Sequence, residues 1–147
     1  MNRIPLIVKP KNYPSTLSVV GTNVTVLASN HDTKGQEFTF QSGEKGMGPP
    51  PHSHNWDETF FVLKGSVEFT CDGETEMCTP GTLVFLPSGT IHAFKYGPDG
   101  GEMLEVTGAG SVATQMFTAV DNEIPPGPPN VEKIIGVLSK NGVTVHL

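Results

Sequence analysis

"GMGPPPHSHNWDETFFVLKG", residues 46–65, sets three prolines, a His-x-His pair and a glutamate ahead of an apolar, aromatic run that stops at a glycine. In an extended chain, side chains two apart share a face and stand roughly 6.5 Å apart along the backbone. His52 and His54 can therefore aim at one point between them. The prolines favour that extended approach and resist a helix. A helix would put His54 and Glu58 on one face, four apart, but the run from Glu58 reads as a strand ending at Gly65. On that strand Glu58, Phe60 and Val62 share one face, and Asp57, Thr59, Phe61 and Leu63 share the other. Glu58, and not Asp57, then faces inward with the apolar set.

Imidazole binds divalent ions at about 2.0–2.1 Å, and a carboxylate oxygen suits the same hard-to-borderline class of metal. A further histidine lies in "GTLVFLPSGTIHAFKY", residues 81–96, which reads as a strand, a Pro-Ser-Gly-Thr turn and a second strand from Ile91. His92, Phe94 and Tyr96 share a face there. Taken alone, His92 is either a hydrogen-bonded core residue or a ligand.

The 147 residues suffice for one domain with its own core, and the expected boundaries are 1–147. Seventeen glycines and 13 prolines scattered between short apolar runs suit many turns joining short strands. Eight strands are predicted: 24–29, 37–40, 58–64, 66–71, 75–78, 82–87, 91–96 and 102–107. "SNHDTKG" around His31 and "GPDGG" (97–101) read as solvated turns. After Gly110 the spacing turns helical. A short helix is predicted over 111–120 with Ser111 as N-cap, and a second from Val131, capped by Asn130 and ended by Gly142.

A net charge of −6 with no basic cluster argues against nucleic acid. No run is long enough to span a bilayer, and the first residues lack a signal-peptide core, so no membrane association and a cytoplasmic location are expected. Cys71 and Cys78 flank a hairpin turn, but the registers considered do not set them opposite one another, so two free thiols are expected.

The chain resembles the cupin superfamily, specifically the small quercetin-dioxygenase-like cupins. Gly46, His52, His54, Glu58 and Gly65 meet the first cupin motif, and Gly81, Pro87, Gly89 and His92 meet the second; Tyr96 stands where the second motif ends in Asn. Nine of ten specified positions match in order and spacing. The resemblance implies an all-β jelly-roll barrel with two short C-terminal helices. It implies one divalent transition metal (Fe, Mn, Ni, Co, Cu or Zn) held by His52, His54, Glu58 and His92. A carboxylate and three neutral imidazoles would leave such a site near +1, suited to an enolate, phenolate or carboxylate.

Phe60, Val62, Phe94 and Tyr96 are expected to line an apolar pocket beside the metal, with Phe85 and Val67 or Phe69 as neighbours; each is equally readable as core. Trp56 and Met47 either gate the barrel mouth or pack at its edge. His31 and His146 carry no assigned role. The implied function is a metal-dependent dioxygenase acting on a small enolisable or phenolic compound, with Glu58 able to take the substrate proton. A non-catalytic metal- or ligand-binding cupin and an oxygen-independent isomerase or lyase are the rivals. A homodimer joined through a sheet edge is compatible with the family.

Overall fold

The computed structural model describes residues 3–147. Nine strands curl into one barrel-like sheet: β1 (Leu17–Val19), β2 (Thr22–Ala28), β3 (Glu37–Gly43), β4 (His52–His54), β5 (Glu58–Cys71), β6 (Glu74–Cys78), β7 (Leu83–Leu86), β8 (His92–Thr107) and β9 (Val143–Val145). Three helices join them: α1 (Asn30–Thr33), α2 (Ala113–Glu123) and α3 (Val131–Lys140). The hydrogen-bonded order is β1-β2-β3-β8-β4-β9, and β5 pairs with β6, β7 and β8, all antiparallel. This is the mostly-β barrel architecture that the resemblance implies, with the helical extension following it.

Two strands are longer than predicted. The runs 58–64 and 66–71 form the single strand β5, and 91–96 joins 102–107 as β8. The cause is their mutual ladder, which runs from Glu58↔Thr107 to Cys71↔His92 and continues past Gly65↔Gly101. Gly65 does not stop the strand. Its φ of 66° lets the backbone shift register, and a Cβ there would lie 2.1 Å from the Gly100 carbonyl oxygen. "GPDGG" is accordingly part of β8 and not a separate turn.

Other local expectations are corrected too. Residues around His31 form one helical turn, α1, because Ser29 and Asp32 make a reciprocal capping box. Helix α2 begins at Ala113, not after a cap at Ser111. The Ser111 hydroxyl receives the Ala113 N–H at 3.0 Å and donates to Glu37 Oε1 at 2.9 Å, so it serves the helix from one residue further out. Asn130 caps α3 as expected, accepting the Lys133 N–H at 3.0 Å. The hairpin of β5 and β6 turns at Asp72-Gly73, which sets Cys71 opposite Glu74 and Cys78 opposite Val67. Both thiols are free.

Two apolar clusters organise the interior. One fills the barrel with Phe60, Val62, Val67, Phe69, Cys78, Leu86, Phe94, Tyr96 and Met103. The rings of Phe60, Phe69 and Phe94 lie 5.2–5.5 Å apart in tilted and edge-on contacts. The other cluster joins β1, β2 and Trp56 to α2, α3 and Val143 across one end of the barrel. Phe85, expected inside, is 56 % exposed. Leu86 is buried in its place, since β7 carries apolar residues on both faces and its pairing with β5 chooses between them.

The outer face of the sheet is apolar as well. Cross-strand neighbours Phe38, Val106, Thr59 and Phe85 make one row over β3, β8, β5 and β7, and Phe40, Leu104, Phe61 and Leu83 make the next. Neither row contains a charge.

Candidate metal centre

β4 brings His52 and His54 to the barrel mouth, where its one bridge to β8 sets His52 directly opposite His92. β4 is so short that its second neighbour matters: β9 pairs along it as His52↔Val145, Ser53↔Thr144 and His54↔Val143. The Ser53 hydroxyl meets His146 Nε2 at 2.7 Å, which gives His146 a clamping contact that its sequence position did not suggest. Beyond β4 the Pro87–Thr90 turn closes over the same loop, with the Gly89 N–H donating to the His54 carbonyl at 2.9 Å. Glu58 opens β5 and is 5 % exposed, while Asp57 is exposed and accepts the Ser88 N–H at 2.8 Å.

The three histidines are brought together. One ring nitrogen from each lies within 4.8 Å of the others. Around one ion at about 2.1 Å, three nitrogens at right or tetrahedral angles stand about 3.0–3.4 Å apart, so the rings would draw inward to hold it.

Tautomers support the same fit. Nδ1 of His52, His54 and His92 lies 2.8, 3.0 and 2.9 Å from the carbonyl oxygens of Pro50, Trp56 and Thr90 respectively. A carbonyl oxygen only accepts, so each neutral ring keeps its proton on Nδ1 and leaves an Nε2 lone pair free. Nε2 of His92 is buried without an aligned hydrogen-bond partner, although Glu58 Oε1 is only 2.9 Å away. His54 Nε2 lies 3.2 Å from the same oxygen. Lone pairs converging on a carboxylate suit a cation between them.

The protonation pattern has traceable causes. Burial lowers the His52 pKa to about 4, helped by the neighbouring His92 and opposed by Glu58. Burial would also lower His92, but its contact with the Glu58 carboxylate outweighs that and raises it above the ordinary value. Burial would raise Glu58, but its contacts with Glu105, His54 and His92 hold it well below the usual carboxylate range. Glu105 is pushed well above that range by burial and by the Glu58 charge beside it.

Glu105 was missed by the sequence reading. It projects from β8 on the same face as Met103 and Thr107, is 2 % exposed, and accepts the Thr39 hydroxyl at 2.8 Å. The available signal was its parity with Met103 in "EMLEVT". A carboxylate in the inward set breaks the alternation unless it has work there.

A cavity of about 50 Å³ adjoins the cluster, and its wall includes His52, His54, Glu58 and Glu105. Phe60 and Phe94 line it, whereas Val62 and Tyr96 sit deeper in the barrel cluster. Tyr96 covers Gly43, where a Cβ would lie 2.2 Å from its ring. Its backbone brackets the first-motif loop through Gly46 N–H to Tyr96 O (2.8 Å) and Tyr96 N–H to Met47 O (3.0 Å). Trp56 is buried in the cavity wall. Met47 is 45 % exposed beside Gly21.

Comparison with known proteins bears on the fold that carries this site. A family model described as a cupin domain matches residues 36–106. Quercetin 2,3-dioxygenase of Bacillus subtilis strain 168 is 30 % identical over 105 residues, covering 69 % of this chain and 31 % of that protein, so the chain spans about a third of that relative's length. Among solved structures, KdgF from Halomonas sp. superposes with a TM-score of 0.67 at 17 % identity over 76 % of this chain and 99 % of that one. The polyketide cyclase RemF from Streptomyces resistomycificus gives 0.62 at 25 % identity over 71 % and 80 % respectively.

Proposed function

The chain is a cupin through its β body, residues 36–106, and we propose that it is a metal-dependent enzyme in which His52, His54, Glu58 and His92 hold one divalent transition ion. The observation that carries this reading is the set of three Nδ1–H···O=C bonds, which favours in all three imidazoles, two buried and one half-buried, the tautomer a metal requires. The reaction we assign is dioxygenation of a small enolisable or phenolic compound. The 30 % identity to a quercetin 2,3-dioxygenase supports it.

A bound divalent ion would supply Lewis acidity, favouring the ionised form of an enol or phenol. The chain's own residues supply the rest. Glu58, where it loosens from the ion, accepts the substrate proton at its carboxylate, with the buried Glu105 beside it. Phe60 and Phe94 give the pocket an apolar wall that excludes water, backed by Val62 and Tyr96. The whole chain acts as one domain, in a cytoplasmic setting.

Elemental analysis of purified protein tests the centre: about one metal per chain is expected, and less than half of that sinks it. His52→Ala and His92→Ala should each cost about 100-fold or more in metal affinity. Oxygen uptake with flavonols and 1,3-diketones tests the reaction class. A second, oxygen-independent reading has its own support in the 25 % identity to a polyketide cyclase. Turnover that persists under argon would replace the first reading with the second. Metal binding without turnover of either kind would leave a binding cupin.

A second copy of the chain is the partner we assign to the outer sheet face. Phe61, Leu63, Leu83 and Phe85 are 39–62 % exposed there. With their half-buried cross-strand neighbours they form a continuous apolar patch of the kind that marks protein–protein contacts. The uncharged rows suit a self-complementary two-fold contact.

A further inference from the structure

The cavity beside the histidines, about 50 Å³, is too small for a substrate ring. A benzene-sized guest needs a cavity of about 150 Å³, and a water needs roughly 10–15 Å³. As it stands, the space admits a few waters or a diatomic gas. On one side its wall is barrel, stitched by strand ladders. On the other it is Ala113, Met116 and Phe117 of α2, Leu138 of α3 and the adjoining Val143. Both helices follow the cupin domain at 36–106.

The helix pair is tied down at its two ends. At the start, Glu37 Oε1 accepts from the Ser111 hydroxyl (2.9 Å) and from the Thr114 N–H (3.2 Å). At the finish, β9 is laddered to β4. The intervening link, 124–130, is mostly exposed and holds two Pro-Pro pairs. Over the middle, apolar packing is joined by one polar latch, from the Ser18 N–H to Asp121 Oδ1 at 2.8 Å.

We propose that α2 and α3 form a size-selecting roof over the histidine cluster, with Met116, Phe117 and Leu138 deciding which ligand reaches it. This rests on reading that cluster as the ligand-binding centre. The ligand class is an apolar one- or two-ring compound presented through oxygen atoms. The cavity wall is aliphatic and aromatic apart from the site residues, Thr22 and Gln41, and contains no Lys or Arg to receive a phosphate. Dioxygen-sized molecules pass beneath the closed roof, and ring compounds wait for it to lift.

Trp56 reports on this directly, because it is the chain's one tryptophan and lies in the cavity wall. Its fluorescence quenching by dioxygen and by the larger acrylamide should differ widely in the unaltered protein. Phe117→Ala and Met116→Ala should raise the acrylamide constant about threefold or more while leaving the dioxygen constant nearly unchanged. Asp121→Asn, which weakens the latch without hollowing the core, should move it the same way and serves if the truncations fail to fold. Val137→Ala is the control, since Val137 is buried in the same cluster but does not line the cavity.

Acrylamide quenching that ignores Phe117, Met116 and Asp121, or that rises equally in Val137→Ala, overturns the roof. With metal loaded, 4-nitrocatechol binding should saturate at an opening-limited rate that Asp121→Asn increases, whereas azide binding should stay linear in concentration. Linear nitrocatechol binding overturns it as well. The quenching experiment needs no metal, so a failed metal assay strikes the proposed function alone and a failed size dependence strikes the roof alone.

Discussion

The indole of Trp56 lies flat on the imidazole of His54, with ring centroids 4.3 Å apart and planes within 8° of parallel. The same indole is in reach of Gly142, where a Cβ would sit 3.5 Å from its ring. One aromatic ring thus touches both a proposed metal ligand and the segment that follows α3.

That contact makes metal binding visible. Titrating the metal-free protein with Co²⁺ or Cu²⁺ should quench the single tryptophan by about half or more, saturating near one equivalent, because His54 stands between the ion and the ring. Phe85→Tyr, on the outer face, should titrate identically. An unchanged emission at full metal occupancy would contradict the stacked geometry.

Acid should release the metal in two stages. Metal binding needs each Nε2 free of protons. Glu58 raises His92 above its ordinary value in the metal-free site, so a proton competes there first. Apparent affinity should therefore fall about tenfold per pH unit as the pH drops below the His92 titration. It should steepen further towards pH 4, where His52 titrates. Metal retained after dialysis across pH 7.5 to 4 gives the slopes, and a flat profile down to pH 5 would contradict this order.

Glu37 holds the start of α2 to the barrel. Its Oε1 serves Ser111 and Thr114, and its Oε2 accepts the Asn30 N–H at 3.1 Å, all in a buried position. Glu37→Ala strands these donors and should cost about 1–3 kcal/mol. Thermal unfolding should shift down by several degrees, while Glu37→Gln, which keeps acceptor capacity, should lose less. Equal losses in the two variants would argue that packing, and not the donors, sets the value.

The outer face should govern assembly. Phe61→Glu together with Leu83→Lys places charges in the middle of the apolar rows and should turn a dimer into a monomer in sedimentation, with metal content unchanged. A monomer before substitution would remove the second copy as the partner of that face.

Much of the centre was legible because strand parity is a hard constraint. Spacing alone put His52 with His54, set Glu58 apart from Asp57, and aligned His92 with Phe94. Parity failed at β7, where Leu83, Val84, Phe85 and Leu86 are apolar on both faces and no polar side marks the outside. Glu105 went unread although its parity with Met103 marked it, since a buried carboxylate makes sense only beside partners that come from other strands. The breaks expected at Gly65 and "GPDGG" were real glycine signals, but a long antiparallel ladder carried both strands across them. Helices α2 and α3 were visible from their periodicity. That they close the barrel mouth was not, because periodicity names the apolar face of a helix and not what it faces.

β4 owes its position to a partner far along the chain: the Ser53 to His146 contact spans 93 residues. Two of the three imidazoles therefore gain their full backbone support only after residue 145 has been synthesised and β9 has docked. A nascent chain stalled before that point carries the whole proposed ligand motif but lacks the strand that braces β4.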